Sequence, residues 1–209
     1  MRKIIAAVFV SLDGIMQAPG GPEEDPTGGF SHGGWVFHYF DEALGGAMDE
    51  LFSKPFDLLL GRKTYEIFAA YWPQPGAPDP IASLFNRATK YVATRTNPKL
   101  QWQNSKSLGD DIVSALTDLR KSNGPDLLIQ GSSNLIQTLL ENNLIDEFRL
   151  LIFPLMLGNG KRLFGEGTVP SALKLVETRG FPTGVVLARY QPAGELRTGS
   201  FALENSPQA

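Results

Sequence analysis

The sequence predicts an α/β protein with a mostly parallel sheet, helices on both sheet faces and an antiparallel hairpin at the C-terminal end. Three observations support this fold class. Short apolar runs alternate with stretches of helical periodicity along most of the 209 residues. The runs lack regular polar positions, as expected for strands that are covered on both faces. Near the C-terminus, two β-like segments flank a Pro-Thr-Gly turn, which is typical of a hairpin.

The individual elements follow from apolar runs for strands and from spacings of three and four for helices. The predicted strands span 4–10, 56–60, 90–94, 126–130, 147–154, 174–178 and 185–190. The predicted helices lie at 40–52, 64–68, around 84, at 112–119 and at 135–140. Residues 11–36 are rich in Gly, Pro and acidic residues, and this composition predicts a long irregular loop. Loops of that length are usually either functional or disordered. We assign one domain to residues 1–191 and expect residues 192–209 to form a frayed tail.

The composition excludes several classes of protein. With 42% hydrophobic and 20% charged residues the chain is globular, and a net charge of −3 argues against a nucleic-acid partner. The absence of cysteine excludes disulfide scaffolds, cysteine-ligated metals and thiol nucleophiles. His32 and His38 are too few and too poorly spaced to predict a metal site. The first apolar run is too short for a signal peptide or a membrane span, so we predict a cytoplasmic location.

Polar residues follow three of the predicted strands. They are Gly61-Arg62-Lys63-Thr64, Thr94-Arg95-Thr96 and Gly131-Ser132-Ser133-Asn134. Ligands of open α/β sheets bind beyond the carboxyl ends of strands, and helix N-termini there attract anions. Each segment alone is also explained as a turn, a helix cap or a solvated cation. Together they favour a ligand with several phosphates, such as an adenine dinucleotide with a 2′-phosphate, although the Gly-x-Gly-x-x-Gly fingerprint is absent.

An ordered set of motifs carries a family resemblance over residues 2–191. The motifs are Ser11-Leu12-Asp13-Gly14, Leu60-Gly61-Arg62-Lys63-Thr64-Tyr65-Glu66, Gly131-Ser132-Ser133-Asn134-Leu135, Leu144-Ile145-Asp146-Glu147 and the segment from Pro154 to Phe164. In them the chain resembles the RibD C-terminal domain, the riboflavin biosynthesis reductase family of the dihydrofolate-reductase-like superfamily. The resemblance implies a three-layer α-β-α fold and NADPH-dependent reduction of a small heterocycle, similar to 5-amino-6-(5-phosphoribosylamino)uracil reductase. It also implies a homodimer.

The resemblance further implies roles for individual residues. The cofactor would be bound by Gly14, Gly61, Arg62, Lys63, Thr64, Thr94, Arg95, Gly131, Ser132, Ser133, Asn134 and Leu135. Of these, Thr94 and Arg95 would contact the 2′-phosphate. Asp13 would lie beside the nicotinamide as the candidate catalytic proton donor, its alternative being a turn residue. The substrate would contact Ser11, Trp35, Phe37, Gly158, Gly160 and Arg162, although the aromatic residues among them are equally explained as core.

Two other functions remain open at this stage. One is dihydrofolate reduction, although the carboxylates of the first long helix lack the Trp-x-x-Pro context of folate-reducing members. The other is a nucleotide-binding module without turnover. The deaminase activity that accompanies the reductase in bifunctional riboflavin enzymes is excluded, because its zinc site requires cysteines.

Overall fold

The computed structural model describes residues 1–74, 80–96 and 99–201. Its strands are β1 Ile4–Ser11, β2 Phe56–Gly61, β3 Lys90–Ala93, β4 Ser105–Ser107, β5 Asp126–Ile129, β6 Glu147–Phe153, β7 Leu173–Gly180 and β8 Val186–Pro192. Its helices are α1 Glu42–Phe52, α2 Arg62–Tyr71, α3 Pro80–Arg87, α4 Ile112–Lys121 and α5 Ser133–Glu141.

The strands form one sheet in the order β4-β3-β2-β5-β1-β6-β8-β7. All neighbours from β4 to β6 are parallel, whereas β8 pairs antiparallel with both β6 and β7. The predicted fold class is therefore confirmed. Because parallel strands point the same way, the carboxyl ends of β2, β3 and β5 meet at one edge of the sheet.

Two hydrophobic cores lie on opposite faces of the sheet, since side chains alternate along each strand. In β1, Ile5 and Ala7 belong to one core and Ile4 and Ala6 to the other. Helices α1, α2 and α3 pack on the first core, and α4 and α5 on the second. This arrangement gives the expected α-β-α layers.

The helix starts differ in how their backbone N–H groups are satisfied. Asp41 caps α1 by accepting from Leu44 N, and Asp111 caps α4 by accepting from Ser114 N. The cap of α1 moves its start to Glu42, two residues after the predicted one. Helix α2 begins directly after β2, also two residues from its predicted start, and neither it nor α5 has a side-chain cap. The first turns of α2 and α5 therefore leave N–H groups available to a ligand.

The predicted loop is neither open nor structureless. Residues 12–36, which we call the strap, pack against the first core through Ile15, Phe30 and Trp35. The indole Nε1 of Trp35 donates to the carbonyl of Gln17 at 2.8 Å, and Ile15 pairs with Arg162 in an isolated β-bridge. Side-chain to backbone hydrogen bonds thus order a segment that has no sequence periodicity.

Three further differences concern short or terminal segments. The strand β4 was not predicted, because it is a polar three-residue edge strand. The predicted frayed tail is exposed and irregular from residue 193 to 201, and residues 202–209 lie outside the described part of the chain, as do 75–79 of the Pro-rich stretch. Among the described residues, no helix is both long and apolar enough to cross a membrane.

Candidate active site

A cavity of about 530 Å³ opens at the carboxyl ends of β2, β3 and β5. We call it the strand-end cavity. Its walls come from the strand ends, from the first turns of α2 and α5, and from the strap. The strap and the segment after β6 contribute Met16, Gln17, Ala18, Pro19, Glu24, Asp25 and Lys161. The sheet side contributes Gly61, Arg62, Lys63, Thr64, Thr94, Arg95, Thr96, Gly131, Ser132, Ser133, Asn134 and Leu135, among others.

Ser132 joins two of the strand-end turns. Its Oγ accepts a hydrogen bond from Gly61 N at 2.7 Å and donates to Thr64 Oγ1 at the same distance. The turns approach so closely that a Cβ at Gly61 would lie 2.8 Å from Ser132 Oγ, and one at Gly131 would lie 3.0 Å from Thr64 Cγ2. The glycines are therefore required for the two helix N-termini to lie side by side.

The electrostatics at the sheet side of the cavity favour an anion. The N-termini of α2 and α5 both face the cavity, and each carries a partial positive charge. Arg62 and Lys63 occupy the first turn of α2, where Arg62 contacts Glu66 at 2.8 Å with about half of each side chain exposed. Arg95 is exposed at the end of β3 and has no ion pair within the described residues. Cations at the entrance and free N–H groups at the floor together suit a ligand with several phosphates.

Thr94 shapes the turn that carries Arg95. Its side chain is buried, and its Oγ1 donates to Thr96 O at 3.0 Å and accepts from Thr96 N at 3.2 Å. This small turn holds the backbone after β3 in a fixed direction, which leaves the Arg95 side chain at the mouth of the cavity.

Asp25, a buried carboxylate of the strap, links the strap to Lys161 in the segment after β6. Asp25 accepts from Lys161 Nζ at 2.5 Å and lies 3.7 Å from Lys63 Nζ. Burial acts to raise the pKa of Asp25, but the hydrogen bonds from Lys161 and Thr27 outweigh it and hold that pKa below its ordinary value. Gln17 reinforces the attachment, since its Oε1 accepts from Lys161 N at 2.9 Å.

Glu24, beside Asp25, lies in a different environment. Burial and the neighbouring Asp25 charge raise its pKa, although the backbone N–H groups of Gly20 and Gly21 partly oppose this. The two adjacent carboxyl groups of the strap therefore differ in their readiness to hold a proton.

Asp13 and Gly14 do not line the strand-end cavity, and their placement beside the nicotinamide stays a prediction. The Asp13 carboxylate accepts hydrogen bonds from Ser11 Oγ at 2.6 Å, Leu157 N at 3.1 Å and Gly158 N at 2.7 Å. Burial acts to raise its pKa, but these donors outweigh it and lower the pKa. A carboxylate held in its ionised form is a poor proton donor, so the geometry favours the alternative of a turn residue.

The expected substrate residues also lie outside this cavity. Trp35 is buried against Phe153 at a ring distance of 5.2 Å, so its ring is not free to stack on a ligand. Ser11 is buried, and its Oγ both donates to Asp13 and accepts from Ile15 N. These two residues stabilise the fold.

Most of the other members of that set lie together at the end of β1. Arg162 donates to the carbonyl of Asp13, Gly158 N donates to the Asp13 carboxylate, and a Cβ at Gly160 would lie 2.8 Å from Ile15. Phe37 is exposed at 74% of its maximum. The structure therefore groups Ser11, Gly158, Gly160 and Arg162 around Asp13, outside the strand-end cavity, and their contact with a substrate stays a prediction.

The sequence prediction missed Gln17, Glu24 and Asp25, which form the strap wall together with Lys161, a residue between the predicted Gly160 and Arg162. The only local signals were the acidic pair inside a Gly- and Pro-rich stretch and the lysine beside Arg162. Their contacts join positions 136 residues apart, as between Asp25 and Lys161, and no sequence periodicity reports such a pairing.

Comparison with known proteins is consistent with this geometry. The family model of the RibD C-terminal domain matches residues 2–187. A relative from Bacillus subtilis, the uncharacterized protein YyaP, is 31% identical over an alignment of 196 residues that covers 90% of this chain and 94% of YyaP.

Solved structures share the fold at lower identity. A Shewanella protein whose name assigns it provisionally to riboflavin biosynthesis has a TM-score of 0.65 and 20% identity, over 92% of this chain and 99% of that protein. Dihydrofolate reductase from Enterococcus faecalis, complexed with NADP(H) and RAB-propyl, has a TM-score of 0.57 and 16% identity, over 91% of this chain and 96% of that protein.

The deaminase/5-amino-6-(5-phosphoribosylamino)uracil reductase of Thermotoga maritima has a TM-score of 0.59 and 14% identity. The match covers 92% of this chain and 57% of that protein. These likenesses confirm the dihydrofolate-reductase-like fold. With the family match over nearly the whole sheet, they lead to one conclusion: the chain belongs to the RibD C-terminal domain family.

Proposed function

We propose that this protein is an NADPH-dependent reductase of a small heterocyclic substrate, with the cofactor in the strand-end cavity. One observation carries the proposal: the N-termini of α2 and α5, which have no side-chain cap, and Arg95, which has no ion pair among the described residues, surround a single cavity. The capped starts of α1 and α4 provide the contrast, because their N–H groups are already satisfied by aspartates. Membership in a reductase family supports the same function.

Different residues of the cavity would bind different parts of the cofactor. The first turns of α2 and α5 would hold the phosphates, and the glycines Gly61 and Gly131 keep those turns close enough to act on one ligand. Arg95 and Thr94 would hold the adenosine 2′-phosphate at the mouth. The bound cofactor would supply the hydride, and the strap, as one wall of the cavity, would limit the access of water.

The experiment is a titration of the protein with NADPH and NADH, followed by nicotinamide fluorescence. We expect NADPH to bind more tightly, and Arg95→Ala to narrow the gap by about 1.5–3 kcal/mol, the value of a hydrogen bond to a charged group. Arg87→Ala is the control, because Arg87 is exposed at the end of α3 and does not line the cavity. Equal affinities for the two cofactors in the wild type would refute the assignment of the 2′-phosphate site.

The substrate class is tested by a panel. Ribosylaminopyrimidines, flavin precursors and pterins are offered with NADPH, and oxidation of the cofactor is followed by its absorbance. Binding of NADPH without oxidation by any of them would favour a nucleotide-binding module. The predicted homodimer and the predicted cytoplasmic location belong to this proposal as well, and light scattering after gel filtration tests the dimer.

A further inference from the structure

We infer that Glu24 is the acid that protonates the substrate nitrogen during reduction. The inference rests on the proposed function and names the residue that this reaction still lacks, since the Asp13 carboxylate is held by three hydrogen-bond donors outside the cavity. Reduction of a C=N bond needs one proton for each hydride, and a positioned side chain can supply that proton directly or through one water.

The position of Glu24 suits a donor. It lies on the strap and lines the strand-end cavity together with the first turns of α2 and α5. Its Oε2 accepts from Gly20 N at 2.6 Å and from Gly21 N at 3.2 Å. These N–H groups occupy Oε2, whereas Oε1 has no hydrogen-bond partner among the described residues and is the oxygen that would carry a proton.

The lysines of the cavity form their ion pairs with Asp25 and not with Glu24. The charged groups that line the same cavity are Asp25, Arg62, Lys63, Arg95 and Lys161. Lys63 and Lys161 contact the Asp25 carboxylate rather than Glu24, at 3.7 and 2.5 Å. Asp25 therefore stays ionised, and its negative charge discourages a second one on Glu24.

This pair of neighbouring carboxyl groups matches a general pattern of acid–base sites. The environment lowers the pKa of Asp25 and raises that of Glu24, and a separation of that kind assigns the acid to the group with the raised pKa. Asp25 then has a different task, which is to hold the strap against Lys161.

The reduction combines one hydride transfer with one proton transfer. The carbon of the substrate C=N bond receives hydride, with its two electrons, from the reduced nicotinamide of the proposed function. The π pair of that bond moves onto nitrogen, which takes the proton from Glu24 Oε1. Glu24 is left as a carboxylate and regains a proton from water, while the nicotinamide becomes oxidised.

The first test needs no substrate. In the wild type with bound NADP⁺, carbon-13 NMR of the glutamate carboxyls gives the titration midpoint of Glu24, assigned through its loss in Glu24→Gln. We expect Glu24 to titrate above the ordinary glutamate pKa of 4.5. A midpoint at or below 4.5 would overturn the inference. Glu23, the exposed neighbour of Glu24, lies outside the cavity.

The second test compares Glu24→Gln with the matched control Glu23→Gln. Single-turnover oxidation of bound NADPH is measured with 5-amino-6-(5-phosphoribosylamino)uracil and with 7,8-dihydrofolate as probes. We expect Glu24→Gln to lose about 100-fold or more in rate, as removal of a general acid does, with the affinity for NADPH within about twofold of wild type. The wild-type rate should fall as the pH rises through the Glu24 pKa, and the variant should lose that dependence.

The outcomes separate this inference from the proposed function. Failure of the wild type to bind NADPH would refute the proposed function. Normal binding with an unchanged rate and pH profile in Glu24→Gln would refute only the role of Glu24. If the wild type reduces neither probe, the NMR midpoint decides.

Discussion

Replacing Ser132 by alanine tests the hydrogen bonds that join the two strand-end turns. The variant loses the Oγ that accepts from Gly61 N and donates to Thr64 Oγ1, both at 2.7 Å. An unsatisfied, partly buried N–H costs about 1–3 kcal/mol, and a neutral hydrogen bond contributes about 1 kcal/mol. The left-handed backbone of Ser132, at φ 74°, is equally unfavourable for alanine, so it adds no difference. We expect the free energy of unfolding to fall by about 2 kcal/mol.

Urea denaturation followed by fluorescence measures this loss, and a thermal scan should show a decrease of about 4–8 °C for a chain of this size. Ser133→Ala is the matched control, because Ser133 lines the same cavity but its side chain makes no hydrogen bond within the described chain. The affinity for NADPH should also fall in Ser132→Ala, since the N-termini of α2 and α5 lose their link. Equal stability of the two variants, within about 0.5 kcal/mol, would refute the reasoning.

Two further predictions concern the pH dependence of stability, each measured by urea unfolding. Lys90 is fully buried and its Nζ donates to three backbone carbonyls at the end of α3, but burial lowers its pKa to about 8 from 10.5. Between these two pH values the unfolded state therefore binds more protons than the folded state. As the pH rises from 8 to 10.5, the free energy of unfolding of the wild type should increase relative to that of Lys90→Met by as much as about 3 kcal/mol. The absence of such a relative increase would contradict this prediction. For Asp25, whose folded pKa lies below 3.8, Asp25→Asn should cost about 2 kcal/mol at pH 7. That difference should disappear as the pH falls below 3.8, and a difference that persists in acid would contradict the ionic role.

The extent to which the sequence predicted the fold follows from the type of signal each element carries. Strands such as β1 and β2 are continuous apolar runs, and α5 has its buried residues at helical spacing, so local pattern and final burial agree. The edge strand β4 was missed because Ser-Lys-Ser has no apolar content. It forms through backbone pairing with β3, which composition does not report.

The sheet side of the candidate site was also within reach of the sequence. A glycine or a cation directly after an apolar strand marks a strand end, and parallel topology brings such ends together. The strap wall was not predictable in this way, because Trp35 and Gln17 are placed by hydrogen bonds within an aperiodic segment. The same limit applies to the expectation that Trp35 stacks on the substrate. Trp35 is buried against Phe153 instead, and this burial depends on the packing of the whole strap.

A crystal structure of the protein with NADPH is the most direct measurement of the central claim. Our account predicts that backbone N–H groups in the first turns of α2 and α5 donate to the phosphate oxygens, and that Arg95 contacts the 2′-phosphate. Cofactor bound elsewhere on the molecule, or a strand-end cavity that stays free of NADPH at saturating concentration, would contradict it.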